Sequence, residues 1–150
     1  MAQSLSKIIV HVVFSTKNRQ PILSAAIRND LFAYIAGILK SLDCLTLAIN
    51  GTEDHVHALV IMARTISLSK MIQAMKGGST RWLNLQTITT NHFAWQAGYG
   101  AFSVSESQIA KVVNYIARQD EHHRRTTFQD ELTSLLKKHN VEFDGQHLWT

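Results

Sequence analysis

Residues 44–63 constrain the fold more than any other stretch. CLTLAIN (44–50) alternates in the manner of a strand, HVHALVIMA (55–63) is apolar after two opening histidines, and Gly51-Thr52-Glu53-Asp54 joins them as a short polar turn. Strand-like runs separated by so short a turn predict an antiparallel hairpin. A hairpin alone is marginal in water and needs further strands or packed helices. KIIVHVVFS (7–15) predicts another strand, and Pro21 marks the turn after it. Ser24 is placed to cap a helix running to about Leu42, with Ile27, Leu31, Ile35, Ile38 and Leu42 on one stripe. Ser67 is placed to cap a second helix carrying Leu68, Met71, Ile72 and Met75. Gly77-Gly78 is expected to interrupt or end that helix, with helix resuming from Ser79 to Leu85. A fourth strand is expected within residues 93–104, where Gly98 and Gly100 mark a bulge or a close backbone approach.

Ser105 with Gln108 has the spacing of a capping box and opens a third helix, with Ile109, Val112, Val113 and Ile116 on its apolar face. Thr127 is placed to cap a last helix with Phe128, Leu132, Leu135, Leu136 and His139 on one side. The order β-α-β-β-α-β-α-α predicts an α+β fold. Its core is a ferredoxin-like split βαβ antiparallel sheet with helices on one face, to which C-terminal helices are added. The 150 residues fit one domain, 1–150. That core hosts many functions, so the site residues must decide among them.

Composition narrows the field. Charged residues are 17% against a usual ~25%, which argues against a disordered or highly solvated chain. The formal net charge of +4, with eight histidines in reserve, suits a polyanionic partner without proving one. A lone cysteine, Cys44, excludes a disulfide framework and a cysteine-based zinc site, and points to a reducing compartment. No apolar run approaches the ~20 residues needed to span a bilayer. Ile8 to Phe14 reads as a strand rather than a secretory signal, because no small-residue cleavage site follows it. A cytoplasmic protein with no membrane association is expected.

His55 and His57 stand two apart in a strand, so both imidazoles project from one face. That spacing suits two ligands of one metal ion, but solvent-facing histidines share it, and a coordination sphere needs at least one more ligand. In the third helix, Tyr115 and Gln119 are four apart and neighbours on one face, beside the apolar stripe. Taken singly, Tyr115 reads as a packing residue with its hydroxyl at the rim, and Gln119 as an exposed residue. Together with the histidines they compose a site. The imidazoles and the amide oxygen would hold a divalent cation, and the phenol would attack a phosphate oriented by it. With a pKa of ~10, a phenol leaves more readily than a sugar alkoxide, so a phosphotyrosine link can store a phosphodiester for rejoining.

At these residues the chain resembles the TnpA-like insertion-sequence transposases of the single-tyrosine HUH class. The triplet that names the class is His55-Val56-His57. The resemblance is carried, in order, by FSTKNRQPIL (14–23), GTEDHVHALV (51–60), KGGSTRW (76–82), WQAGYGAFSVS (95–105) and VVNYIARQDEHH (112–123). Ala58 departs from it, where a larger aliphatic residue is expected. The resemblance implies a transposase domain that cleaves and rejoins single-stranded DNA through a 5′-phosphotyrosine and recognises hairpins at insertion-sequence ends. It implies Tyr115 as nucleophile, His55, His57 and Gln119 as metal ligands, and Mg2+ or Mn2+ as the cofactor. Imidazoles alone would point to zinc or another transition metal. It further implies a homodimer, in which the tyrosine helix of one subunit can complete the histidine site of the other.

Phosphate contacts call for lysine and arginine. Lys17 and Arg19 follow the first strand, Lys76 and Arg81 flank the glycine pair, and Lys111 and Arg118 lie on the tyrosine helix, with Arg124 and Arg125 after it. Each is also readable as a plain surface charge. The backbone N–H groups around Gly77-Gly78 and Ser79-Thr80 are further candidates for a phosphate. Trp82 is the aromatic most open to stacking on an unpaired base, whereas Trp95 and Phe102 read as core. Asp54 can orient the His55 ring by accepting a hydrogen bond from it, or simply form the turn. His122 and His123 read either as phosphate contacts or as helix-end residues, and His11, which interrupts an apolar strand, reads as structural.

Other function classes stay in view. A non-catalytic regulator derived from such a transposase would grip hairpin DNA or RNA without cutting it. A metal-binding interaction protein would do neither.

Overall fold

The computed structural model describes residues 2–86, 92–145 and 148. Strands β1 (Ile8–Ser15), β2 (Leu45–Gly51), β3 (His55–Met62) and β4 (Gly100–Ser103) form an antiparallel sheet in the order β2-β3-β1-β4. This is the expected split βαβ arrangement.

Register divides the sheet into two faces. The pairs Val10↔Val60, Val12↔Ala58 and Phe14↔Val56 turn one way, and Ile9↔Ile61, His11↔Leu59 and Val13↔His57 turn the other. The first face is covered by α1 (Ala25–Ser41) and α2 (Leu68–Leu85), which bury Leu31, Ile35 and Leu39, and Met71, Ile72 and Met75, against it. The C-terminal helices α3 (Ile109–Ala117), α4 (Gln119–His122) and α5 (Phe128–Lys138) lie against the second face. The sheet is therefore sandwiched, and the histidine pair sits between it and the C-terminal helices.

Four local expectations need correction. Helix α2 runs unbroken through Gly77-Gly78. A Cβ on Gly78 would lie 2.6 Å from Ile38 Cδ1, so the missing side chain lets α1 and α2 approach closely. Tertiary packing here overrides the ~1 kcal/mol helix penalty of a glycine. The backbone N–H groups of 77–80 lie inside the helix and form no phosphate loop.

Ser105 opens a single 3₁₀ turn (Glu106–Gln108) and caps nothing with its side chain. The third helix is divided as well. Arg118 (φ −100°, ψ 24°) separates α3 from α4, where one continuous helix was expected. By contrast, Ser67 and Thr127 accept hydrogen bonds from the N–H groups of Lys70 (3.2 Å) and Asp130 (3.2 Å), as caps should. No helix among the described residues is long and apolar enough to cross a membrane.

Candidate functional site

The turn before β3 sets the position of His55. Thr52 N–H donates to the His55 carbonyl at 3.1 Å, and a Cβ on Gly51 would lie 2.1 Å from that carbonyl oxygen, so only glycine fits. Asp54 Oδ1 lies 2.7 Å from His55 Nδ1 and accepts a 3.0 Å bond from the Thr52 hydroxyl. Burial would raise the Asp54 carboxyl, but its bonds to His55 and Thr52 outweigh burial and hold it below the ordinary range. An ionised carboxylate can only accept, so His55 Nδ1 carries the proton and Nε2 faces inward.

His57, fully buried, is held from both sides. Its Nδ1 is 2.8 Å from His11 Nε2, and its Nε2 is 2.9 Å from Glu131 Oε1. Burial pushes His57 down to about 4 despite the neighbouring carboxylate, and pushes His11 down to about 3. Both rings are neutral at pH 7. His11 is thus more than an interruption in an apolar strand, because it serves the second histidine of the motif as a hydrogen-bond partner.

Tyr115 reaches the same place from α3. Asn50 on β2 ties down the end of that helix by donating to the Ile116 carbonyl at 2.9 Å. The Tyr115 ring stands 5.8 Å from His57 and 6.1 Å from His11, and its hydroxyl donates to Glu131 Oε2. Burial, then the charge and hydrogen bond of Glu131, raise the phenol well above its usual range. The break at Arg118 turns the buried Gln119 inward, where Oε1 lies 3.1 Å from His55 Nε2 and the amide Nε2 donates to Glu131 Oε2 at 3.3 Å. The sequence-predicted Tyr115, His55, His57, Gln119 and Asp54 are therefore brought together within one chain.

Sequence reasoning missed Glu131 and left His123 undecided. Glu131 is buried at the centre of the cluster, with Oε1 2.9 Å from His57 Nε2, 2.9 Å from His123 Nε2 and 3.5 Å from His55 Nε2. His122 Nε2 lies 3.4 Å from Oε2. Burial alone would raise this carboxyl, but hydrogen bonds from His123 and His57 reverse the effect and keep it ionised. Burial would lower His123, and Glu131 likewise reverses that, raising it. The available signal was an acid within the apolar stripe of α5, between Phe128 and Leu132. Ligand atoms of His55, His57, His123 and Glu131 all lie within 4.8 Å of one another. Imidazoles beside a carboxylate are a donor set that fits a divalent cation.

The basic residues divide by location. Arg19 lines a cavity of about 620 Å³ with Asp54, His123, Arg124 and Arg125. It follows Asn18 in left-handed backbone (φ 54° and 56°). Lys111 lines two cavities, of about 400 and 420 Å³, that meet at Tyr115, and Arg118 lines the second of them. Lys17 is exposed at the turn after β1. Lys76, Arg81 and Trp82 are on α2, across the sheet from the histidines, and are not brought to the site. The Lys76 ammonium is engaged with the carbonyls of Gln96 (2.8 Å) and Gly98 (2.6 Å), and Trp82 stacks on Tyr34 at 5.4 Å.

Comparison with solved structures shows the same fold. A candidate transposase from Deinococcus radiodurans R1 superposes with a TM-score of 0.61 at 23% identity, over 79% of this chain and 98% of that one. A REP-associated tyrosine transposase bound to a REP hairpin superposes with a TM-score of 0.61 at 15% identity, over 82% of this chain and 74% of that one. Comparison with curated proteins finds no match. The sequence profile of the family described as "Transposase IS200 like" matches residues 4–119, a segment that holds His55, His57, Tyr115 and Gln119. By that match the chain belongs to the IS200-like transposase family.

Proposed function

We propose that this transposase cleaves and rejoins single-stranded DNA through a phosphotyrosine at Tyr115, beside a divalent cation held by His55, His57 and Gln119. The observation that carries the reading is the convergence of the Tyr115 hydroxyl, both imidazoles and the Gln119 carboxamide around Glu131 within one chain. Hairpin recognition is supported by the structural neighbour bound to a REP hairpin. Lys111 and Arg118 beside Tyr115, and Arg19 beside Asp54, offer charge for phosphates leading to and from the scissile bond. Lys17 would extend that track. The enzyme would work as one cytoplasmic domain, and because one chain assembles the site, a homodimer would serve to pair DNA ends rather than to complete the chemistry.

When bound, Mg2+ or Mn2+ supplies Lewis-acid polarisation and orientation of the phosphate. The chain's residues do the rest. Tyr115 Oη attacks phosphorus, the Oη–P bond forms and the P–O3′ bond breaks, leaving a 5′-phosphotyrosine and a free 3′-hydroxyl. The phenol gives up one proton and the departing oxygen takes one, so the step is proton-neutral and reversible. A DNA 3′-hydroxyl then attacks the phosphotyrosine, and Tyr115 recovers its proton. His11 and Asp54 hold the two imidazoles in orientation, and Glu131 holds the phenol towards them.

A labelled single-stranded hairpin oligonucleotide bearing the flanking genomic end, with Mg2+ or Mn2+, tests the reading. A denaturant-resistant protein–DNA adduct that disappears in Tyr115→Phe is expected. Hairpin binding without an adduct would instead favour the non-catalytic regulator.

A further inference from the structure

We propose that Glu131 and His123, both outside the family-matched segment, complete the metal centre as ligands beside His55 and His57, and that Glu131 joins this centre to the nucleophile. The inference deepens the reading above and rests on its metal site.

Geometry carries it: ligand atoms of His55, His57, His123 and Glu131 lie within 4.8 Å of one another, and three of the four residues are buried. Glu131 Oε2 accepts from Tyr115, so the donor end of the Gln119 amide must face that oxygen and its Oε1 must face His55. Asp54 takes the Nδ1 proton of His55. His55 Nε2 faces Gln119 Oε1 at 3.1 Å and Glu131 Oε1 at 3.5 Å. A cation at this point would take the ring nitrogen and the carboxylate oxygen together as ligands. His123 Nε2 adds a third nitrogen, 2.9 Å from Glu131 Oε1.

The spacing is suitable. Ligands bound at about 2.0–2.1 Å in a tetrahedron stand roughly 3.3–3.4 Å apart, and Glu131 Oε1 lies 2.9–3.5 Å from the three imidazole nitrogens. His57 can supply a free Nε2 lone pair, because its proton can move to Nδ1, where His11 Nε2 becomes the acceptor. Glu131 divides its oxygens, with Oε1 towards the imidazoles and Oε2 towards Tyr115 and Gln119. A nitrogen-rich set with one carboxylate suits a first-row transition ion better than Mg2+, and Mn2+, a paramagnetic member of that row, is the probe.

The test uses the full chain and Mn2+ alone. Titration followed by electron paramagnetic resonance should show one site in the unaltered protein, with Glu131→Gln and His123→Ala each weakening binding at least tenfold. Pulsed measurements on the unaltered Mn2+ protein decide the matter even if a variant folds poorly. Three imidazole nitrogens and a ¹³C coupling from carboxyl-labelled glutamate support the ligand set. No Mn2+ site, two nitrogens, no ¹³C coupling, or wild-type affinity in both variants overturns it. These readouts are independent of the DNA adduct, so the ligand set can fail while a Tyr115-dependent adduct stands, and the reverse.

Discussion

The Tyr115 hydroxyl donates to Glu131, a carboxylate 16 residues away that is simultaneously bonded to His57. In the metal-free protein this bond keeps the phenol protonated, because an adjacent negative charge opposes phenolate formation. Replacing Glu131 by Gln removes the charge and leaves the burial. The Tyr115 pKa should fall, yet stay above the ~10 of a free tyrosine. Ultraviolet titration of Glu131→Gln, with Tyr115→Phe subtracted, measures the shift; an unchanged titration would contradict the coupling.

Acid should destabilise the metal-free protein before its ordinary carboxylates titrate. His57 and His11 have folded pKa values of about 4 and 3, below the ~6.5 of the unfolded chain. Between these limits the unfolded state binds more protons, so stability is full above pH 6.5 and is lost as pH falls towards 4. Each ring contributes on the order of 2–3 kcal/mol to that loss. His123 is shifted the other way, so its contribution is present at low pH and fades as pH rises through its folded value. Urea midpoints at pH 7 and pH 5, for the wild type and His11→Phe, check the sign. The variant should lose less stability on acidification.

The glycines separate local from tertiary demands. Gly51→Ala must displace the His55 backbone carbonyl and should cost more than about 2 kcal/mol. Gly77→Ala, in open space inside α2, should stabilise by about 1 kcal/mol. Gly78→Ala should be near neutral, its helix gain offset by displacing the end of Ile38. Urea denaturation of the three variants gives the ranking.

Asp54→Ala and His11→Phe each remove the hydrogen-bond partner of a histidine Nδ1 without touching the inward-facing nitrogens. Loss of such partners costs roughly 10–100-fold in metal affinity. Calorimetric Mn2+ titration should show both losses, and wild-type affinity in either variant would contradict the role given to its hydrogen bond.

The parts of the molecule legible in sequence were those with a local period. The alternation of residues 44–50 and the apolar runs at 7–15 and 55–63 identified the strands, the two-residue step put His55 and His57 on one face, and the four-residue step from Tyr115 identified Gln119. Glu131 had no such period: beside Asp130 in the first turn of an amphipathic helix it reads as a rim acid, and His57 is 74 residues away. His11 read as structural because its partner lies on the neighbouring strand β3, 46 residues along the chain. The glycine pair was misread because helix propensity is local, whereas the close passage of α1 over Gly78 is not. Lys76 and Arg81 neighbour the site only in the linear order of motifs; the sheet lies between them and the histidines.

Covalent transfer to Tyr115 is the central claim, and its most direct measurement is mass-spectrometric mapping of the protein after reaction with the hairpin DNA end and nuclease trimming. A nucleotide remnant joined through phosphate to the peptide containing Tyr115 is expected. A remnant on any other residue, or cleaved DNA with no remnant on the protein, would contradict it.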